Sequence, residues 1–154
     1  MSRFQLILGL SFVCLVSGCG KKVTGPENKA TVKVKGTITV NGQAPPWKIQ
    51  LQAIPDGPPD PKSPTASFAE TNDDGTFSFS TYALGDGVPE GSYSLLAKSQ
   101  TVVIAFANGV EAPDKLAGKY DSPKESPKKF DVSGSGEEEI DLGTIDLKSN
   151  AKKK

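Results

Sequence analysis

The sequence predicts an all-β fold: a single small antiparallel β-sandwich. Three observations predict it. Apolar side chains recur at every second position in several short runs, the period of a strand with one buried face. Gly, Pro, Asn and Asp punctuate the intervals between those runs. Beyond residue 19 no long segment repeats its apolar residues at the 3.6-residue period of a helix. Several short strands joined by loops favour two packed sheets.

The first eighteen residues stand apart from this pattern. Met1-Ser2-Arg3 carries one positive charge, and residues 4–16 are apolar except for Gln5, Gly9 and Ser11. A charged start, a short apolar centre and small residues at the exit are what a secretory signal needs. The run is too short for a permanent span, which takes roughly 20 apolar residues. Val16-Ser17-Gly18-Cys19 resembles the bacterial lipobox. That resemblance implies a signal peptide over 1–18, diacylglycerol on the Cys19 thiol, cleavage before Cys19, and a fatty acyl chain such as palmitate on the new amino group. It places the protein at the cell envelope, anchored by lipid. Gly20 follows the cysteine where an aspartate would favour inner-membrane retention, so the outer membrane is the expected destination. Residues 19–30 are small or polar apart from Val23 and Ala30, and are expected to form a flexible tether.

Within residues 31–40, Val32, Val34, Ile38 and Val40 share one parity and Lys33, Lys35, Thr37 and Thr39 the other, which predicts a half-buried strand. Gly36 falls on the apolar parity, a sign of a bulge or of a close neighbour. Asn41-Gly42 offers positive φ for a tight turn, and Pro45-Pro46 then sends the chain to another strand. In residues 47–54, Ile49, Leu51 and Ala53 oppose Lys48, Gln50 and Gln52, a second strand. Five prolines make residues 55–64 an exposed loop. A short strand over 66–71, the turn Asn72-Asp73-Asp74-Gly75 and the alternation Thr76-Phe77-Ser78-Phe79-Ser80 predict a hairpin.

A second long loop covers 82–90, and residues 92–98 place Tyr93, Leu95 and Ala97 on one parity. Residues 101–107 have no polar face, so they are expected to form a strand covered on both sides. Asn108-Gly109 is a turn. Residues 112–129 form the most irregular stretch, in which 113–118 hold one helical turn with Pro113 first and Gly118 last. In the last strand region Ile140 and Leu142 share one parity, Ile145 and Leu147 the other, so Gly143 or Thr144 hosts a bulge. Residues 148–154 are expected to be a basic, solvated tail.

Val34-x-Gly36-x-Ile38-x-Val40-Asn41-Gly42, the strand ending at Pro55, Thr71-Asn-Asp-Asp-Gly-Thr-Phe77 and Pro89-Glu-Gly-Ser-Tyr-Ser-Leu95 resemble carboxypeptidase regulatory-like, or transthyretin-like, domains. The likeness extends to small bacterial lipoproteins carrying one such domain, and spans most of residues 31–147. It implies a sandwich of the prealbumin type. Its motifs are turn and strand punctuation, so they speak to fold rather than to activity.

Composition bounds the chemistry. Lysine plus arginine number 18 and aspartate plus glutamate 18, which gives no electrostatic case for nucleic acid as a partner. Of two cysteines, Cys14 leaves with the signal and Cys19 takes lipid, so the exported domain has no disulfide and no thiolate site. Histidine is absent, which removes the Ser-His-Asp triad, histidine zinc sites and imidazole acid-base catalysis. The chain is therefore expected not to be an enzyme, with no catalytic, cofactor-binding or metal-binding residues. Asn72-Asp73-Asp74-Gly75 lacks the alternating ligands and distal glutamate of a calcium loop, and reads as a turn. Glu137-Glu138-Glu139 reads as edge protection. Trp47, Tyr82, Tyr93 and Tyr120 are the residues on which a sugar ring would stack, but Trp47 and Tyr93 sit on or beside strands and are expected in the core. Two functions follow as expectations: a non-catalytic structural or protein-interaction module of the envelope and, as the alternative, an envelope glycan-binding module.

Overall fold

The computed structural model describes residues 28–58, 66–99, 102–103, 110–111, 113–133 and 139–150. The expected signal segment, Cys19, most of the expected tether, the centre of the proline-rich loop, most of the apolar run 101–107 and residues 151–154 lie outside the described residues. Eleven strands are described: β1 (Thr31–Val32), β2 (Val34–Val40), β3 (Gln50–Pro55), β4 (Ser67–Glu70), β5 (Thr76–Ser78), β6 (Val88–Pro89), β7 (Gly91–Lys98), β8 (Val102–Val103), β9 (Val110–Glu111), β10 (Lys129–Val132) and β11 (Ile140–Leu147). They build a four-stranded sheet in the order β10-β7-β3-β4 and a three-stranded sheet in the order β11-β2-β5, with the short pairs β1-β6 and β8-β9 beside them. The described residues include no α-helix, only a 3-10 turn over Pro123–Glu125. The protein is an all-β sandwich.

Alternation puts the core between the sheets. Val34, Ile38, Val40, Phe77, Leu142, Ile145 and Leu147 come from one sheet, and Leu51, Ala53, Tyr93, Leu95, Ala97, Phe130 and Val132 from the other; all are buried in one cluster. An aromatic series crosses it. Phe77 meets Phe79 edge-on at 5.5 Å, Phe79 stacks on Phe130 at 6.2 Å, and Phe130 stacks on Tyr93 at 5.6 Å. Gly36 is opposite Phe77 in the β2-β5 register, and a Cβ there would lie 2.8 Å from the Phe77 ring. The close neighbour read from the sequence is therefore an aromatic ring laid over the glycine. Gly143 supplies the bulge of β11, with φ +70° and a register shift between Asp141 and Thr144.

Several expectations are corrected. Residues 31–40 form two strands: the chain breaks at Lys33, β1 pairs with β6, and β2 enters the three-stranded sheet. Residues 66–80 are not a hairpin. β4 pairs with β3 and β5 with β2, and a bridge from Phe68 to Ser80 is the pairing between their segments. The 72–75 turn thus carries the chain from one sheet to the other, because Phe77 and Phe79 reach the core only from beside β2. One pair departs from the antiparallel rule: β11 runs parallel to β2. Residues 113–118 make successive turns instead of a helical turn, with Ala117 at φ 55° and Gly118 at φ 71°. β6, β9 and β10 form where the sequence predicts no strand. The segment expected to be tail begins tied down: Lys148 N donates to the Tyr120 hydroxyl at 2.8 Å, and Ser149 O accepts from Asn41 Nδ2 at 2.8 Å.

Candidate functional site

Loop aspartates come first, since they are the residues that would hold a metal or act as acid and base. Each described one with a shifted carboxyl is engaged by its own loop. Asp74 accepts from the Thr76 hydroxyl at 2.7 Å and the Thr76 amide at 2.9 Å, and these two bonds hold its carboxyl below the usual range. This is the Asx chemistry of a turn. Asp86 lies in the 81–87 loop. Burial on its own pushes the Asp86 carboxyl up, but the amides of Thr81, Tyr82 and Ala83, at 2.7, 2.9 and 3.0 Å, outweigh it and hold the group low. Asp114 likewise accepts from Ser99 N at 2.7 Å and Gly118 N at 2.9 Å. Among the described residues no three His, Cys, Asp or Glu side chains gather where they could share a metal ion. Glu139 pairs with Lys35, while Glu137 and Glu138 lie outside the described residues.

The four aromatics proposed for sugar stacking do not share a surface. Tyr93 is buried in the core, where loss of solvent pushes its hydroxyl up to about 12. Tyr120 is buried and accepts from Lys148 N. Trp47 is half-buried with the Lys115 ammonium 4.8 Å from its ring centre, an intramolecular cation–π contact on the face a sugar would use. Tyr82 alone of the four is exposed.

What the structure does gather is an apolar corner. Phe68 and Ser80 exchange backbone hydrogen bonds at 2.9 and 2.8 Å, so the exposed Phe68 ring of β4 lies beside the loop that carries Tyr82 and Leu84. A recess of about 560 Å³ runs along β4, from Leu84, Ser80 and Phe68 at this corner to Thr71, Asn72 and Lys48 beside the 72–75 turn. The Ser80 hydroxyl accepts from Gly85 N at 2.8 Å, which, with Asp86, fixes the course of the loop. Sequence reading missed this corner. Its one signal was Leu84, a large apolar residue inside a Gly- and Asp-rich loop where nothing local buries it. Cys19, the residue singled out for lipid, lies outside the described residues.

No protein-family model matches the chain, and no curated protein matches it. Among solved structures, a 9R-lipoxygenase from Cyanothece PCC8801 is similar over 77% of this chain, with 13% identity and a TM-score of 0.41. The chain spans 16% of the length of that protein. This corrects the expectation, drawn from the missing histidine and thiol, that the chain is not an enzyme. The similar structure belongs to an enzyme, so that exclusion does not stand; a likeness this distant argues for no activity of this chain.

Proposed function

We propose that the protein is an exported lipoprotein, fastened to the envelope by acyl chains on Cys19, which displays its sandwich as a structural or protein-interaction module. The observation that carries this reading is the run of residues 4–16 ending in Val16-Ser17-Gly18-Cys19, where position, apolar length, small residues and cysteine agree. A compact domain that starts about ten residues after that cysteine suits display at a membrane surface. The outer membrane is the proposed location, since Gly20 carries no retention mark. The transthyretin-like resemblance belongs to the same reading and names the kind of sandwich displayed.

Two or three acyl chains hold far more firmly than one, at about 0.8 kcal/mol per buried CH₂. Replacing Cys19 therefore removes the anchor without touching the domain. Fractionation of cells carrying the parent or Cys19→Ala protein tests this: the parent is expected in the membrane fraction and the variant outside it. A variant that stays in the membrane fraction refutes the proposed anchor.

A further inference from the structure

We propose that the corner formed by Phe68, Tyr82 and Leu84 rests on the lipid surface that carries the anchor, with Leu84 entering the boundary between headgroups and acyl chains. The proposal rests on the lipidation of Cys19 argued above. Phe68, Tyr82 and Leu84 are the exposed large apolar side chains among the described residues, at 55%, 36% and 99%. Exposed apolar residues scattered singly call for no explanation, but these three are held at one corner by the Phe68–Ser80 backbone bonds and the braced 81–87 loop.

The chain enters the domain at the same corner. Lys29 N donates to the Tyr82 hydroxyl at 3.2 Å, and β1 pairs with β6 directly after the loop. Gly87 makes that approach possible: it has φ +98°, and a Cβ there would lie 1.9 Å from the Val32 carbonyl oxygen. Ten residues of coil, the length of chain from Cys19 to Lys29, have an end-to-end distance of about 16–19 Å. Fully extended it reaches no further than about 36 Å. The 72–75 turn lies at the other end of the seven-residue β2, roughly 20 Å away. Acyl chains on Cys19 therefore draw the Tyr82 end of the sandwich toward the bilayer and leave the 72–75 end facing away. Tyrosine suits the headgroup layer and leucine the apolar layer beneath it. Because the anchor makes the encounter intramolecular, a contact too weak to bind a free protein becomes occupied.

A fluorescent probe on a single introduced thiol tests the proposal in the full lipidated protein, purified from membranes and reconstituted into vesicles of phosphatidylethanolamine and phosphatidylglycerol. Leu84→Cys places an environment-sensitive probe at the corner; Asp73→Cys places it at the opposite end, on an exposed side chain. Parent protein with lipid on Cys19 takes no thiol label, and a labelled parent overturns both the lipidation and the corner's role. With the parent unlabelled, the probe at position 84 is expected to shift to the blue, brighten several-fold and lose more than half its emission to lipids carrying a quencher on the acyl chain. The probe at position 73 is expected to do none of these. Equal behaviour at the two positions overturns the proposal and leaves the anchor standing. A blue shift at position 84 that lipid-borne quenchers do not affect assigns the corner to protein, a second copy included, and overturns it also.

Discussion

Asp146 joins three parts of the chain. Its Oδ1 accepts from Gly42 N at 2.7 Å and from the Thr39 hydroxyl at 3.0 Å, while Oδ2 meets Lys148 Nζ at 2.5 Å. The Lys148 ammonium first, and the Gly42 amide next, hold the carboxyl at about 2. An unfolded aspartate titrates near 3.9, so the folded group is the stronger acid. The stabilisation it supplies is complete above pH ~4 and is lost as pH falls through about 2. Solvent screens much of it, because the side chain is exposed. Urea denaturation of Asp146→Asn is expected to show a loss of about 0.5–1 kcal/mol at pH 7. The difference from the parent should narrow as pH falls from about 4 toward 2; a gap of undiminished size at pH 2 would mean that shape, not charge, supplies the stability. The turn residues around it were legible in the sequence, since Asn41-Gly42 declared itself by composition. Asp146 was not, because two of its three partners, Thr39 and Gly42, lie more than a hundred positions away.

At the scale of elements, legibility followed length and alternation. β2, β3 and β7 place four, two and three apolar residues or glycines of one parity into the core, and each was readable. The bulge of β11 was readable too, since the apolar parity of Ile140 and Leu142 had to be reset before Ile145 and Leu147. β10 was not. It has four residues, lies just after a stretch with three prolines, and presents only Phe130 and Val132 to the core. Yet Phe130 is the ring that links Phe79 of one layer to Tyr93 of the other. Phe130→Ala is expected to cost about 3–5 kcal/mol, as removal of a buried aromatic from a core does. Thermal or denaturant unfolding measures it, and a loss below about 1 kcal/mol would show that the layers close without that ring. The corner at 72–75 misled for a different reason. Asp74 and Gly75 make the same local turn whether the next strand pairs with β4 or crosses to β2, and only the long-range partner decides.

Taken as a whole molecule, the chain is a small sandwich that stands on packing, with no cysteine from residue 20 onward to form a disulfide. Its two ends differ in chemistry. The end where the chain enters shows Phe68, Tyr82 and Leu84; the opposite end shows the 72–75 turn, where Asn72 bonds Thr76, and Asn41 bonded to Ser149. With the proposed anchor at the apolar end, this difference gives the molecule a direction as well as a place. Intact-mass measurement of the protein purified from membranes tests that anchor most directly. The expected product begins at Cys19 and is heavier than its polypeptide by diacylglycerol, with or without one further acyl chain. A product in which an unmodified Cys19 is still joined to Gly18 would contradict it.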